Sequence, residues 1–336
     1  MRFGFSEDQL QLTGAVRQLL DGELSPQVRA SAEAGARRGA LWKALAEQGV
    51  FALLIPEEHD GLGLTELDAA GVLDELGRAA APGPVAETMF IAPRLLSGSP
   101  EQLQALAAGQ LVVAVTALPG GYAAHADIAD LVLVLAAEEV RAVPGGAAGP
   151  DVQPQVDQTR PLAAVPRGQG TVLAAGAAAR ELVAAARNYG AVATAAQLVG
   201  AAARLLDDTI RYAGQRHQFG HPIGSFQAVK HKLADVAVAV AFARPLVHRA
   251  CYSLCYQLPT AARDASAAKA AAADAAELAA RVALQVHGAI GYTEEAELQV
   301  WLKRVWALVP EWGDAHLHRQ RVATALLDEP LLPCTP

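Results

Sequence analysis

Arg216-His-Gln-Phe-Gly-His-Pro-Ile-Gly-Ser-Phe-Gln227 and Gln285-Val-His-Gly-Ala-Ile-Gly-Tyr292 are the two stretches that decide how this chain reads. Each ends one alanine-rich helical pattern and opens the next. In the first, Gly220 terminates a helix, Pro222 blocks its continuation and Ser225 is placed to cap the following one. Arg216 and Phe219 then fall on the last turn of one helix and Gln227 on the first turn of the next, so the three can converge. An arginine at such a corner suits a pyrophosphate, because its planar fork binds two oxygens at once. In the second stretch Gly288 and Gly291 break the helix and let backbone approach a ligand closely. Gln285 stands just before the break, and Thr293 is placed to cap a helix beginning at Glu294 and Glu295. Taken singly, a plain helix corner with a surface arginine and a plain helix–helix turn explain them without any ligand.

Around these stretches lie four alanine-rich segments with helical spacing, 181–215, 225–257, 261–287 and 294–327. Their short connections predict antiparallel packing as a four-helix bundle. Upstream, Ser6-Glu-Asp-Gln9 is a capping box that opens a helix over Leu10 to Leu20. Leu41 to Val50 reads as a second helix, Thr65 caps a third over Glu66 to Arg78, and Ser99-Pro100 starts a fourth with proline in its first turn. Between the helical parts, Leu111 to Ala117 and Leu131 to Leu135 are short apolar runs bounded by turn residues, the pattern of strands. The predicted architecture is mainly α with a small central β domain. A helical domain spans 1–110, a reduced β domain 111–176 and the four-helix bundle 177–330.

With 336 residues, 52% of them hydrophobic and 18% charged, the chain can bury a large core. A net charge of −8 argues against a nucleic-acid backbone as partner. Three cysteines make no disulfide framework, and Cys251 and Cys255, four apart on a helix, read as core thiols. The N-terminal residues hold no apolar core of signal-peptide length, and the apolar runs fall short of the ~20 residues of a membrane span, so a cytoplasmic protein is expected. His316 and His318 are two apart and point to different helix faces, which argues against a metal site. His217 and His221 flank the corner, as surface residues or as contacts to phosphate.

Jointly, Arg-x-x-Phe-Gly-x-Pro-Ile-x-x-Phe-Gln from Arg216 and Gln-x-x-Gly-x-x-Gly-Tyr from Gln285, with His231-Lys-Leu-Ala-Asp235 between them, resemble the acyl-CoA dehydrogenase family. The resemblance is specific over roughly 195–320 and looser before that. It implies an FAD-dependent α,β-dehydrogenation of an acyl-CoA thioester: a glutamate removes the α-proton while the β-hydrogen leaves as hydride. It further implies that Arg216, Gln218, Phe219, Ile223 and Gln227 contact the pyrophosphate and adenosine of an FAD held by a neighbouring subunit. Gln285, Gly288 and Ala289 would line the other side of that cofactor.

The sequence departs from the family where the chemistry should be. Most relatives carry the base about 27 residues after the glutamine of the glycine turn, which from Gln285 reaches Trp312. A minority carry it near the start of the first bundle helix, a position taken here by Gly190. The Thr-Glu-Pro-x-x-Gly-Ser-Asp stretch that contacts the flavin ring in relatives has only Thr116-Ala-Leu-Pro-Gly-Gly121 as counterpart. The resemblance therefore points to the partner chains of heteromeric α2β2 dehydrogenases, which close the FAD site of a catalytic paralogue and often serve bulky thioesters such as sterol side chains. Two other readings stand beside it: a self-sufficient homo-oligomeric flavoenzyme using Glu311, Asp314 or Glu295 as base, and a non-enzymatic helical scaffold that kept the fold.

Overall fold

The computed structural model describes residues 4–25, 39–117, 121–147, 152–166 and 168–327. Ser6 opens α1 (Glu7–Glu23) through a reciprocal cap: its hydroxyl accepts the Gln9 N–H at 3.2 Å, and Gln9 Oε1 accepts the Ser6 N–H at 2.9 Å. α2 (Ala40–Glu47) stops short of Val50, because the chain reverses at Gly49 (φ 79°) into a 3-10 turn over Val50–Ala52. Thr65 and Asp68 cap α3 (Glu66–Arg78) in the same reciprocal way. A π-turn over Glu87–Ile91 then runs into α4 (Ala92–Leu95). All residues of this stretch but Arg94 are buried, so no amphipathic stripe marks it as helix. α5 (Pro100–Ala107) begins on its proline as expected.

The central strands form two small sheets. β1 (Val113–Thr116), β3 (Leu131–Ala136), β4 (Glu139–Pro144) and β7 (Thr171–Ala175) make a four-stranded sheet in the order β1-β3-β4-β7, with β1 parallel to β3 and the other pairs antiparallel. β2 (Tyr122–Ala124), β6 (Leu162–Ala164) and β5 (Val152–Gln153) make an antiparallel three-stranded sheet. β1 is buried along its whole length, which is why Val113-Ala-Val115 is apolar without alternation and even Thr116 at its end is buried. Such short strands need support, and the helices provide it. Thr88, on the π-turn, binds both the N–H and the C=O of Val113 through its hydroxyl, each at 3.1 Å. Val113, Leu133 and Val140 pack in one core with Ala179, Val183 and Ala186 of the next helix.

That helix is α6 (Gly176–Gln215), followed by α7 (Gln227–Cys255) and α8 (Ala261–His287). At ~1.5 Å per residue α6 is about 60 Å long. By length and composition it could cross a bilayer, although no single uninterrupted apolar run within it is that long. Yet 78% of its most apolar window is buried inside the protein, so it is the core helix of the bundle. The fourth bundle segment is not the single helix expected over 294–327. It is α9 (Leu298–Leu308) and α10 (Ala315–Leu327), parted by a loop in which Trp312 and Gly313 take positive φ, 58° and 107°. Nor does Thr293 cap a helix at Glu294. Its hydroxyl donates to Ile290 O at 2.9 Å and closes a 3-10 turn over Gly288–Tyr292, and α9 starts only at Leu298.

Candidate functional site

The Arg216 corner differs in detail from the helix-end expected. α6 stops at Gln215 with Arg216 as its C-cap, and residues 217–222 form a minimal hairpin pairing His217–Gln218 with His221–Pro222. Its turn is Phe219-Gly220, with φ of 52° and 79°, so Gly220 is a hairpin residue and not a helix terminator. Phe226 occupies the cap position of α7, while Ser225 Oγ donates to Pro222 O at 2.7 Å inside the corner. Gln227 is the first residue of α7, as read from the sequence. The consequence for ligand binding is outward display. Phe219 is 90% exposed, Arg216, His217, Gln218, His221 and Gln227 are exposed, and Ile223 is half-buried beneath them. Among the described residues the side chains of Arg216, Gln218 and Gln227 have no hydrogen-bond or ion-pair partner.

The second segment lies at the same end of the bundle. α8 ends at His287, Gly288 turns at φ 64°, and Gln285 and Ala289 are exposed. Tyr212, one turn before Arg216, stacks on His287 with ring centroids 4.2 Å apart. Gln285 also lines an open cleft of about 670 Å³ with Glu277, Arg281, Tyr292 and Trp306. The two stretches separated in sequence are thus neighbours, and their free polar groups face away from the core.

The two expected base positions also come together, and neither holds a base. A Cβ built on Gly190 would lie 2.1 Å from Cδ2 of Trp312: the indole rests on the bare backbone of α6. The space that a carboxylate from either position would need is filled by this ring. The loop carrying Trp312 is held from every side. Lys269, wholly buried, donates through Nζ to Val309 O at 2.7 Å and to Gly313 O at 3.1 Å. His318 Nε2 lies 3.1 Å from Trp312 O. Glu311 is bound by Arg160 Nη2, both oxygens at 2.7 Å, and Asp314 Oδ1 caps α10 by accepting the Leu317 N–H at 2.8 Å. Glu295 is exposed in the turn before α9. The carboxylates nearest Trp312 already have structural partners.

Sequence reasoning missed the buried charges around this loop. Arg304 is 1% exposed and joins three parts of the molecule. It donates to Asp157 Oδ2 (2.6 Å) and Thr159 Oγ1 (2.8 Å) of the β region, and to Ala81 O (2.9 Å) and Ala80 O (3.2 Å) beyond α3. Despite its burial, Asp157 titrates at about 2, because the Arg304 charge and hydrogen bonds from Thr159 and Arg304 outweigh desolvation. Arg160 lies between Glu311 and Glu87, whose carboxyl is pushed upward by desolvation. Only Lys269 had a legible signal, a lone cation in the alanine run 267–273. The others pair between segments far apart in the chain, Arg304 with Asp157 and Arg160 with both Glu87 and Glu311, beyond any local pattern.

Burial also depresses histidines. Desolvation, aided by the charges of Lys269 and Arg321, pushes His318 down to about 4, and desolvation with Arg244 does the same to His248. Both then bind protons more weakly when folded than the ordinary value of 6.5 allows, so the unfolded chain takes up protons first. Their contribution is fully present above about pH 6.5 and is lost as the pH falls toward 4, ~1–2 kcal/mol each after allowance for solvent screening. The urea midpoint is expected to fall steadily between pH 6.5 and 4.5, with a shallower slope in His318→Gln. A midpoint independent of pH over that range would contradict this.

A second cleft, of about 500 Å³, opens between α3, α4 and the α7–α8 turn, beside the bonded pair Tyr189–Glu66 and half-buried Cys255. Cys251 is buried, with its thiol pushed up by desolvation. Neither cleft is lined by Trp312 or Gly190.

The acyl-CoA dehydrogenase N-terminal domain matches residues 6–112 and the acyl-CoA dehydrogenase C-terminal domain matches residues 180–327. The chain is 37% identical over 303 residues to acyl-CoA dehydrogenase IpdE2 of Mycolicibacterium smegmatis, covering 89% of this chain and 92% of that one. Among solved structures, the ChsE4-ChsE5 complex from Mycobacterium tuberculosis superposes with a TM-score of 0.84 at 23% identity, covering 98% of this chain and 100% of that one. Butyryl-CoA dehydrogenase from Megasphaera elsdenii also gives 0.84, at 20% identity and coverage of 97% and 100%. The mainly helical fold with a small central β region, the paired motifs and these matches agree: the chain belongs to the acyl-CoA dehydrogenase family, the FAD-dependent oxidoreductases acting on CH–CH bonds.

Proposed function

We propose that this chain is the cytoplasmic partner subunit of a heteromeric acyl-CoA dehydrogenase, closing the FAD site of a catalytic paralogue. The observation that carries this reading is the indole of Trp312 lying on Gly190. Both places from which family members present a base are spent on packing. Meanwhile the exposed corner keeps a guanidinium and side-chain amides that have no partner among the described residues, together with the exposed Phe219 ring, the right groups for a dinucleotide held by another chain. In this reading Arg216 binds the pyrophosphate, the Phe219 ring packs on the adenosine portion, and Gln218, Ile223 and Gln227 flank it. Gln285, Gly288 and Ala289 contact it from the other side. An FAD held there would supply the acceptor for the hydride that leaves the thioester's β-carbon. This chain's own residues bind and orient the cofactor and exclude water from it, and the base belongs to the partner. The likeness in fold to the ChsE4-ChsE5 complex and to the Tcur3481-Tcur3483 steroid acyl-CoA dehydrogenase supports a heteromeric assembly acting on a bulky steroid-type thioester. The division at residues 110 and 176 belongs to the same proposal, as three units that serve one interface.

The test is optical. Purified alone, the chain is expected to carry no stoichiometric flavin absorbance, and purified with a co-expressed catalytic paralogue it should carry it. In that complex Arg216→Ala should raise the FAD dissociation constant by about 10–100-fold, the range for a hydrogen bond to a charged group. Stoichiometric flavin on the chain alone, or unchanged affinity in Arg216→Ala, would sink the proposal.

A further inference from the structure

Tyr212 and His287 lie between the two segments assigned above to FAD. Tyr212 is on the last turn of α6, where its carbonyl accepts the N–H of Arg216 at 2.9 Å. Arg216 O in turn accepts the Ile223 N–H at 2.7 Å, so the hairpin and the end of α6 move as one unit. His287 closes α8, two residues after Gln285 and directly before Gly288. The two rings are stacked, with centroids 4.2 Å apart and planes 20° from parallel. Tyr212 Oη also donates to His287 O at 3.4 Å. His287 Nδ1 lies 2.8 Å from Ala283 O, a carbonyl that can only accept, so Nδ1 carries the hydrogen. Both rings are half-buried, whereas Arg216, Gln218, Phe219, Gln285 and Ala289 on either side are exposed.

We infer that the Tyr212–His287 stack is a positioning device that sets the separation of the Arg216–Gln227 corner and the Gln285–Ala289 turn, so that both reach one dinucleotide. The inference rests on the FAD-closing role proposed above. A two-residue hairpin and a 3-10 turn carry little rigidity of their own, since each offers few backbone bonds. A near-parallel ring pair couples them across the helix ends and resists sliding and splaying together. Binding energy from two segments adds only if they are held in register beforehand; otherwise part of it is spent on ordering them. Tyr212 and His287 need touch no atom of the cofactor to act in this way.

The experiment uses the full chain in complex with its co-expressed catalytic paralogue, with FAD as the probe. Flavin fluorescence reads FAD dissociation, gel filtration reads assembly, and the melting temperature without FAD reads stability. Tyr212→Leu is expected to raise the FAD dissociation constant about five- to tenfold with assembly intact, and activity should return at saturating FAD. Tyr212→Phe and His287→Phe, which keep a ring on ring, should stay within about twofold of the parent. FAD affinity unchanged in Tyr212→Leu, while Arg216→Ala weakens it, would overturn the positioning role and leave the FAD-closing role standing. Equal losses in Tyr212→Phe and Tyr212→Leu, or a lowered melting temperature with parental FAD affinity, would overturn it as well. If Arg216→Ala is also silent, the FAD-closing role itself fails. Should Tyr212→Leu not fold, His287→Leu against His287→Phe decides the question, and equal FAD affinity in that pair counts against the stack.

Discussion

Arg304→Met is expected to destabilise the protein by about 3–5 kcal/mol, the usual consequence of stranding one member of a buried ion pair. The side chain it removes makes four hydrogen bonds to Asp157, Thr159, Ala80 and Ala81, none more than 3.2 Å long. Methionine nearly fills the volume, so cavity formation is a minor part of the loss. What remains is Asp157, 3% exposed, with its ionised form no longer held by a guanidinium, and two backbone carbonyls that lose their donor. Asp157 titrates at about 2 in the intact protein, so the pair persists from neutral pH down to acid, and the deficit should be visible across that range. Urea unfolding reads it. The double variant Arg304→Met with Asp157→Asn should lose less than the two single changes together, because the stranded charge has gone. A loss below about 1 kcal/mol in Arg304→Met would show that solvent or rearranged neighbours replace the arginine.

Gly200→Ala is expected to cost about 3 kcal/mol or more, against its local preference. In an isolated helix the same change would gain roughly 1 kcal/mol, alanine being the better helix former. Here an ideal Cβ would lie 1.9 Å from Asp74 O and 2.8 Å from Arg78 N, both backbone atoms of α3 that no rotamer change can remove. Gly77 repeats the situation from the other side, its Cβ meeting Gln197 O at 2.0 Å. The two glycines let α3 and α6 cross at backbone contact, and a methyl group there must push two packed helices apart. Overpacking typically costs about 1–3 kcal/mol, and this contact lies at the upper end because both sides are main chain. Chemical denaturation of Gly200→Ala, Gly77→Ala and the pair tests it. The pair should be less harmful than the sum, since the first substitution already separates the helices. A stabilised Gly200→Ala would mean that local propensity outweighs the crossing.

Where a pattern was local, it could be read without coordinates. The caps at Ser6 and Thr65, the proline start of α5 and the limits Ala261–His287 of α8 depend on bonds spanning three or four residues, and they stand as read. The approximate places of the Arg216 and Gln285 segments at helix junctions were legible for the same reason. Errors arose where local rules allowed two outcomes. Phe219-Gly220 serves a hairpin as readily as a helix end, and Thr293 can close a 3-10 turn or cap a helix. The break at Trp312 did carry a local signal, Pro310 and Gly313 inside the segment expected as one helix over 294–327; what the sequence does not show is that Lys269, His318 and Arg160 bind this loop from distant segments.

The amino-acid order alone therefore determined the family, the succession of helical, β and helical parts, and the absence of a carboxylate at positions 190 and 312. These follow from short-range periodicity, capping and residue identity. Only the tertiary structure decided what fills that absence: an indole seated on bare α-helix backbone, braced by a buried lysine and an ion pair 151 residues apart in sequence. Such contacts arise from packing between distant segments, where shape and desolvation select the partner, and no spacing along the chain encodes them.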